Sequence, residues 1–152
     1  MSQISESLNS AHKKSDFSCG KEMLDNYLHK QANQDIKRKL SACFVVKEEQ
    51  TELIKGYYTL SNNSIPLEDI PDNIRKKLPR SYTTIPTTLL GRLAIYINFQ
   101  GQGLGKLILI DALKRSFELS KTIGSLAVVV DPIDKDVEHF YNKYGFLKLP
   151  DS

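Results

Sequence analysis

Cysteine is scarce in this sequence, and its two cysteines, Cys19 and Cys43, stand far apart. Neither belongs to a CxxC pair or to a cysteine–histidine spacing of the kind that binds zinc. The pattern therefore points to two reduced, partly buried thiols and gives no support to a disulfide framework or a zinc site. We expect no bound metal in this protein.

Long apolar runs are also missing. No segment approaches the roughly 20 consecutive apolar residues that a membrane-spanning helix needs. The N-terminal sequence MSQISESLNSAHKK lacks the apolar core of a secretory signal. We therefore expect a cytoplasmic protein with no membrane partner, and the length of 152 residues predicts a single domain over 1–152.

An excess of charge of one sign is lacking too, because the net charge is only +3. That value does not by itself indicate a nucleic-acid partner, although the basic residues are clustered and folding could gather them into a patch. Solvated surface is the simpler explanation of such clusters. The clusters are His12, Lys13 and Lys14; Lys37, Arg38 and Lys39; and Arg75, Lys76, Lys77 and Arg80.

The first half of the chain shows the periodicities of helix followed by hairpin. Residues 21–40 place apolar side chains at helical spacing, which predicts an amphipathic helix with a basic outer side. Residues 42–46 and 53–61 are rich in β-branched and aromatic residues and predict two antiparallel strands. Three prolines around residues 67–78 indicate a short helix or an irregular connection.

The second half predicts a strand–helix–strand unit. The pattern predicts a central strand at residues 87–97, a helix at residues 103–119 and a buried parallel strand at the apolar run 125–131. In the helix, the predicted apolar face includes Leu104, Leu107, Ile108, Ile110, Leu113 and Phe117, and the predicted outer face carries Asp111, Lys114, Arg115 and Glu118. The whole is a mixed α/β fold.

The chain closes with a short helix and a strand. Residues 134–144 predict the helix, Gly145 its C-terminal cap, and residues 146–149 a last strand.

The glycine-rich turn between the central strand and the following helix is the strongest chemical signal. Gly101, Gly103 and Gly105 leave backbone N–H groups accessible at the positive end of a helix, which suits an anion. A Walker A loop does not fit, because Leu107 stands where a magnesium-binding hydroxyl is required. A dinucleotide fingerprint does not fit either, because Lys106 replaces its last glycine.

The run Gln100-Gly101-Gln102-Gly103-Leu104-Gly105 fits the pattern [QR]xxGx[GA] and is followed by FYxxYGF at residues 140–146. Together these segments resemble the GNAT acetyltransferases. The resemblance implies the GNAT acyl-CoA N-acyltransferase fold, a central mixed β-sheet flanked by helices whose strands 4 and 5 splay apart. It also implies acetyl-CoA as co-substrate, with pantetheine pairing at Leu93, Ala94 and Ile95 and pyrophosphate contacts at Gln100, Gly101, Gln102, Gly103, Leu104, Gly105 and Lys106.

The same resemblance assigns Tyr141 as the catalytic acid that protonates the departing thiolate. A tyrosine with an unperturbed pKa near 10 is protonated at neutral pH and can donate. Tyr144 is more simply explained as a packing residue.

Four further segments, FSCGKEMLDNYL, GYYTLS, LLGRLAI and VVVD, resemble the GNAT toxins of bacterial type II toxin–antitoxin systems. The resemblance implies that the chain inhibits translation by acetylating the α-amine of aminoacyl-tRNA. It also implies a ribbon-helix-helix antitoxin as partner, and a homodimer is a further candidate assembly. The tRNA-binding candidates are Lys37, Arg38, Lys39, Arg75, Lys76, Lys77, Arg80 and Arg92.

The chemistry of an α-amine is compatible with that acceptor. Deprotonating a lysine at pH 7 costs roughly 4–5 kcal/mol, whereas an α-amine costs little more than about 1 kcal/mol, so a strong general base is unnecessary. None is evident, since His12, His29 and His139 lie in polar settings and are predicted to be surface residues.

The chain departs from the family pattern at Val137, where a small residue is common, and at Asp134, where Asn is common. It also ends near the sixth expected strand, whereas the fold usually has seven, which leaves two alternatives: the sequence is truncated, or an edge is missing that a partner strand could fill. Two other functions remain open: an ordinary GNAT enzyme acting on a small amine, a peptide or a protein N-terminus, and an inactive acyl-CoA-binding module.

Overall fold

The computed structural model describes residues 3–149, so the predicted domain limits at 1 and 152 lie outside the described residues. Five strands form one mixed sheet in the order β1-β2-β3-β4-β5, with antiparallel pairs up to β4 and a parallel β4–β5 pair. The strands are β1 Glu6–Ser7, β2 Ala42–Lys47, β3 Ile54–Pro66, β4 Thr84–Ile95 and β5 Val128–Val130. The helices are α1 Glu22–Asn26, α2 Ala32–Lys37, α3 Asp72–Arg75, α4 Leu104–Ser120 and α5 Lys135–Lys143.

Helices pack on both faces of the sheet. The neighbouring residues Tyr57 and Tyr58 of β3 point to opposite faces and are both fully buried, as the alternation of a strand requires. Tyr57 joins a core cluster with side chains of α1, such as Leu24, and Tyr58 joins one with α4, such as Ile108. None of the described helices is long and apolar enough to span a membrane.

The predicted hairpin and the strand–helix–strand unit are confirmed. The β2–β3 pair is antiparallel, and β4, α4 and β5 follow one another with β5 parallel to β4. The connection between β3 and β4 holds only a 3₁₀ turn at Leu67–Asp69 and the four-residue helix α3, as its prolines indicated. Both cysteines are free and buried, as expected.

The predicted helix at 21–40 is present but not continuous. A π-helical turn, Tyr27–Gln31, separates α1 from α2. The wider turn keeps Leu28 and Ala32 on the core side, and both are fully buried. The helix ends at Lys37, so Leu40 does not face the core and is 61% exposed.

The predicted faces of α4 need a correction. Asp111, expected on the outer face, is buried, whereas Leu107 and Phe117 of the predicted apolar face are more than half exposed. Asp111 accepts hydrogen bonds from the amide of Ile4 (2.8 Å), the hydroxyl of Ser5 and the hydroxyl of Tyr58 (2.9 Å). These partners replace the water that the carboxylate loses, so this polar residue is tolerated on the core side.

Three further features of the structure differ from the sequence analysis. Residues 146–149 form no strand, and Leu147 is 82% exposed. The two-residue strand β1 was not predicted, because it pairs with β2 too briefly to leave a sequence pattern. His12, expected at the surface, is buried, where it accepts from the amide of Asn9 (3.0 Å) and lies 2.9 Å from Glu6 Oε2.

Strands β4 and β5 part as the resemblance implied. They pair only from Thr88↔Val128 to Leu90↔Val130, and β4 then continues to Ile95 without β5 beside it. Directly after Leu90, the β3–β4 register shifts at a β-bulge in which Gly91 is an extra residue on β4. A gap between the two strands therefore opens beyond Leu90.

Candidate active site

The glycine turn lies at the N-terminus of α4, as predicted. Gly101 and Gly103 adopt left-handed backbone angles, with φ of +76° and +81°, which residues other than glycine rarely adopt. A Cβ built on either residue would meet no atom within 4 Å, so the space beside this turn is open. Gly105 differs, because its Cβ would lie 3.3 Å from the ring of Phe140. The first two glycines thus leave room for a ligand, and the third lets α5 pack closely.

The side chain of Gln100 is engaged within the protein. Its Nε2 donates to the carbonyl of Cys19 (2.7 Å) and to the carbonyl of Ile95 (2.9 Å). These bonds fasten the first residue of the turn to the end of β4 and to the segment before α1. The neighbouring candidates Gln102 and Lys106 are exposed, and Leu104 is half-buried.

A cleft of about 210 Å³ begins at this turn and follows the unpaired part of β4. Residues 93–95 form its floor, and Gln100 and Gly105 lie at the end nearest the turn. The segment before α1 supplies one wall and α5 the other. The wall residues are Cys19, Lys21, Leu24, Asp136, Val137, Phe140 and Tyr141.

Tyr141 lies where the cleft meets a second, smaller crevice on its other side. The two spaces also share Leu24, Leu93 and Val137. Tyr141 is only 4% exposed, and burial raises the pKa of its phenol, so the hydroxyl keeps its proton at neutral pH. Tyr144 lines neither space; its ring packs on Phe140 with 5.2 Å between centroids.

The predicted basic residues occupy three different settings. Lys37, Arg38 and Lys39 are exposed at the end of α2, and Lys76, Lys77 and Arg80 are exposed after α3. Arg75 is half-buried and paired with Asp72. Arg92 lies inside the site: it lines the second crevice, and its guanidinium sits 3.6 Å from the centre of the Tyr27 ring. A cation over an aromatic face is held in place without losing its charge.

Several cleft residues were missed by the sequence reasoning, chiefly Lys21 and Asp136. Lys21 Nζ lies 2.8 Å from Asp134 Oδ2 and 3.5 Å from Asp136 Oδ2. The contact with Asp134 raises the pKa of Lys21 and lowers that of Asp134. Asp134 also caps α5, because its Oδ1 accepts from the amide of Val137 (3.0 Å). The motif FSCGKEML contains Lys21, but no local pattern reveals a partner 113 residues away.

The carboxylates that line the two spaces are Asp136 in the cleft and Asp131 in the crevice. No histidine or glutamate lines either space, and the described part of the chain contains no cluster of side chains suited to a metal ion. The burial that raises the pKa of Cys19 to about 11 also keeps that thiol protonated and unreactive. The other groups that the site offers to a ligand are the buried phenol of Tyr141, the backbone amides of the glycine turn and the open edge of β4.

No protein-family model matches the sequence. Among the relatives that match it are two bacterial toxins. A "tRNA-acetylating toxin" of Mycobacterium tuberculosis is 33% identical over 130 residues, which cover 86% of this chain and 75% of the relative. A "probable toxin TacT" of Sinorhizobium fredii is 27% identical over 146 residues, covering 91% of this chain and 80% of the relative.

Solved structures that superpose on this chain include toxins as well. A tyrosine-to-phenylalanine variant of KacT superposes with a TM-score of 0.91 at 26% identity, over 99% of this chain and 90% of its own. AtaT complexed with acetyl-methionyl-tRNAfMet gives 0.89 at 27% identity, over 99% and 89%. An AtaT variant bound to acetyl-CoA and the C-terminus of the antitoxin AtaR gives 0.79 at 25% identity, over 97% and 86%.

Proposed function

Because this chain belongs to the GNAT acetyltransferase toxins of toxin–antitoxin systems, we propose that it acetylates the α-amine of an aminoacyl-tRNA and thereby stops translation. It is an acetyl-CoA-dependent N-acetyltransferase. The observation that carries the proposal is the position of Tyr141, buried at the junction between the cleft below the glycine turn and the crevice that contains Arg92.

The residues of the cleft fit acetyl-CoA. The open turn at Gly101 and Gly103 offers amides at the N-terminus of a 17-residue helix, where a diphosphate is favoured by the helix dipole. Residues 93–95 have no β5 strand beside them, so the backbone groups that point to this edge, apart from the Ile95 carbonyl that accepts from Gln100, are available to an extended amide-containing chain. When bound, acetyl-CoA supplies an activated thioester, and Tyr141 would lie beside the end of the cleft that receives it.

Tyr141 acts as a proton donor in this proposal. Transfer of the acetyl group to an amine expels a thiolate, and the phenol of Tyr141 protonates that sulfur as it leaves. Proton donation of this kind contributes typically about 10²–10⁴-fold to a rate. Burial raises the pKa of the phenol, so the proton is in place throughout the neutral range.

The acceptor is an amine that needs no dedicated base. An α-amine with a pKa near 8 is deprotonated to a useful extent at neutral pH, and this agrees with a site lined by no histidine or glutamate. Arg92, held over the Tyr27 ring at the second crevice, would face the end of the tRNA that carries this amine.

The exposed basic residues would contact the tRNA backbone. Lys37, Arg38 and Lys39 on α2 and Lys76, Lys77 and Arg80 after α3 present charge without acidic partners in the described ion pairs. Arg75 contributes less, because Asp72 partly neutralises it. An AtaT variant has been solved bound to the C-terminus of the antitoxin AtaR, and an antitoxin would bind and control this protein as well. We propose an antitoxin of the ribbon-helix-helix class and a homodimeric enzyme.

Expression in bacteria without antitoxin tests this function. Induction of the parent protein should arrest growth. Cells that express Tyr141→Phe should grow normally, because this variant keeps the ring but lacks the hydroxyl that donates the proton. Tyr144→Phe is the matched control and should remain toxic, since Tyr144 lines neither space. Growth unaffected by soluble, acetyl-CoA-binding parent protein would instead favour an ordinary acetyltransferase, and a toxic Tyr141→Phe would remove Tyr141 from the mechanism.

A further inference from the structure

Helix α5, which carries Tyr141, has few polar ties to the rest of the fold. Within residues 3–149, the side-chain ion pairs and hydrogen bonds that join α5 or its cap Asp134 to another element all come from Lys21. Apolar contacts also attach it: Phe140 rests against Gly105, and Tyr141 belongs to the core cluster that contains Ile108. Lys21, which lies in the opposite wall of the cleft, thus makes the polar side-chain contacts that hold the start of α5.

Lys21 is itself fixed from the side of the glycine turn. Gln100 donates to the carbonyl of Cys19 (2.7 Å), and the amide of Cys19 donates to Asp25 of α1 (2.8 Å). The carbonyl of Ser18 accepts from the amide of Ile97 (2.7 Å). The chain segment that carries Lys21 is thus fastened on both sides, and its ammonium group projects from a rigid base.

These contacts form a continuous polar path from the glycine turn to the start of α5. The path runs from Gln100 through Cys19 and Lys21 to Asp134, which lies seven residues before Tyr141, about 10 Å along a helix axis. A shift at the first turn of α5 would displace the Tyr141 hydroxyl, and catalysis is sensitive to displacements of about 1 Å.

We propose that Lys21 is a positioning residue: by pairing with Asp134 and Asp136 across the cleft, it holds α5 where the Tyr141 hydroxyl can reach the reacting sulfur. The proposal rests on the proposed role of Tyr141. Lys21 acts through α5 and not by touching substrate. Its ion pairs are partly exposed, and such pairs contribute little to overall stability, so its role is local.

Hydrogen exchange tests the structural half of this proposal without any reaction. In the substrate-free protein, Lys21→Gln should speed amide exchange in α5 about two- to fivefold and leave α4 unchanged. Lys21→Arg, which keeps the charge, should restore the parent rates. Lys135→Gln is a matched control, because among residues 3–149 the ion pair of Lys135 is with Glu138 of the same helix. Unchanged exchange of α5 in Lys21→Gln would overturn the proposal.

Steady-state kinetics test the functional half. Lys21→Gln should lower kcat about tenfold with little change in KM for either substrate and with an unchanged melting temperature, and Lys21→Arg should recover most of the rate. The doubly neutralised variant Asp134→Asn with Asp136→Asn should match it, because Asn retains the helix cap and loses the charge.

Combining the three substitutions should reduce kcat no further than either set alone, because they break one interaction. An additive loss, or a rise in KM with unchanged kcat, would mean that Lys21 contacts substrate directly and would overturn the positioning role. Failure of the proposed function would look different: the parent would produce no acetylated aminoacyl-tRNA, while the exchange result would still stand.

Discussion

Tyr141 and Tyr144 stand three residues apart in the same helical region, yet their surroundings differ. Tyr141 is buried between two spaces, whereas Tyr144 packs on Phe140 and lies under the ammonium of Lys143. The motif FYxxYGF contains both residues, so the choice of Tyr141 came from the family resemblance. The structure adds a physical reason for it, because only Tyr141 borders the cleft.

The raised pKa of Tyr141 predicts the pH dependence of the reaction. kcat/KM should rise with pH as the acceptor amine loses its proton, reach about half of its maximum near pH 8 and level off about one pH unit above that. No decline should follow up to about pH 9.5, because burial keeps the phenol protonated above its ordinary range. Initial rates in short assays, which limit hydrolysis of the aminoacyl ester, measure this profile. A bell-shaped curve that falls between pH 8 and 9 would contradict the prediction.

Lys39 is the one described residue other than glycine with positive φ, at +61°. A side chain in this region costs about 1 kcal/mol, so Lys39→Gly should raise the free energy of unfolding by about that amount. Lys37→Gly removes the same charge inside α2 and should lower it by about 1 kcal/mol. Urea unfolding compares the two, and a less stable Lys39→Gly would contradict the account. Both variants should bind tRNA more weakly.

Secondary structure at the scale of whole elements could be read largely from the sequence, because periodicity is a local property. The β2–β3 hairpin, α4 and α5 lie close to their predicted positions. The sequence did not predict correctly which side of α4 is buried. Asp111 is buried because Ser5 and Tyr58 reach it from distant parts of the chain, and Arg115 donates to the same Tyr58 hydroxyl (2.8 Å). No local pattern contains those partners.

Close contact between β3 and α4 is predicted to make Gly56 irreplaceable. A Cβ at Gly56 would lie 2.5 Å from Ile108 Cδ1 and 3.0 Å from the Ala94 carbonyl, so Gly56→Ala should destabilise the protein by about 1–3 kcal/mol. Gly124→Ala, whose Cβ would meet nothing within 4 Å, is the control and should be nearly neutral. Thermal unfolding of both variants measures the difference. Equal melting temperatures would show that the sheet and α4 adjust more freely than the structure implies.

At the scale of the whole molecule, the sequence predicted where the glycine turn lies in the fold but not how the cleft beside it is assembled. The glycine turn and the strand before it are one continuous segment, so their proximity follows from the chain itself. The cleft needs more, since its two walls come from residues 19–24 and 136–141 and are joined by Lys21 and Asp134. That pairing depends on the complete fold, which explains why only the family motifs, and not the ion pair, were visible in the sequence.

The most direct test of acetyl transfer to aminoacyl-tRNA is mass spectrometry of the tRNA 3′ end. Purified protein is incubated with acetyl-CoA and a mixture of aminoacylated tRNAs, and nuclease digestion then releases the terminal aminoacyl-adenosines. We predict N-acetyl-aminoacyl-adenosine with the parent and with Tyr144→Phe, and almost none with Tyr141→Phe. Release of CoA without any acetylated aminoacyl-adenosine, or equal acetylation by Tyr141→Phe, would contradict the account.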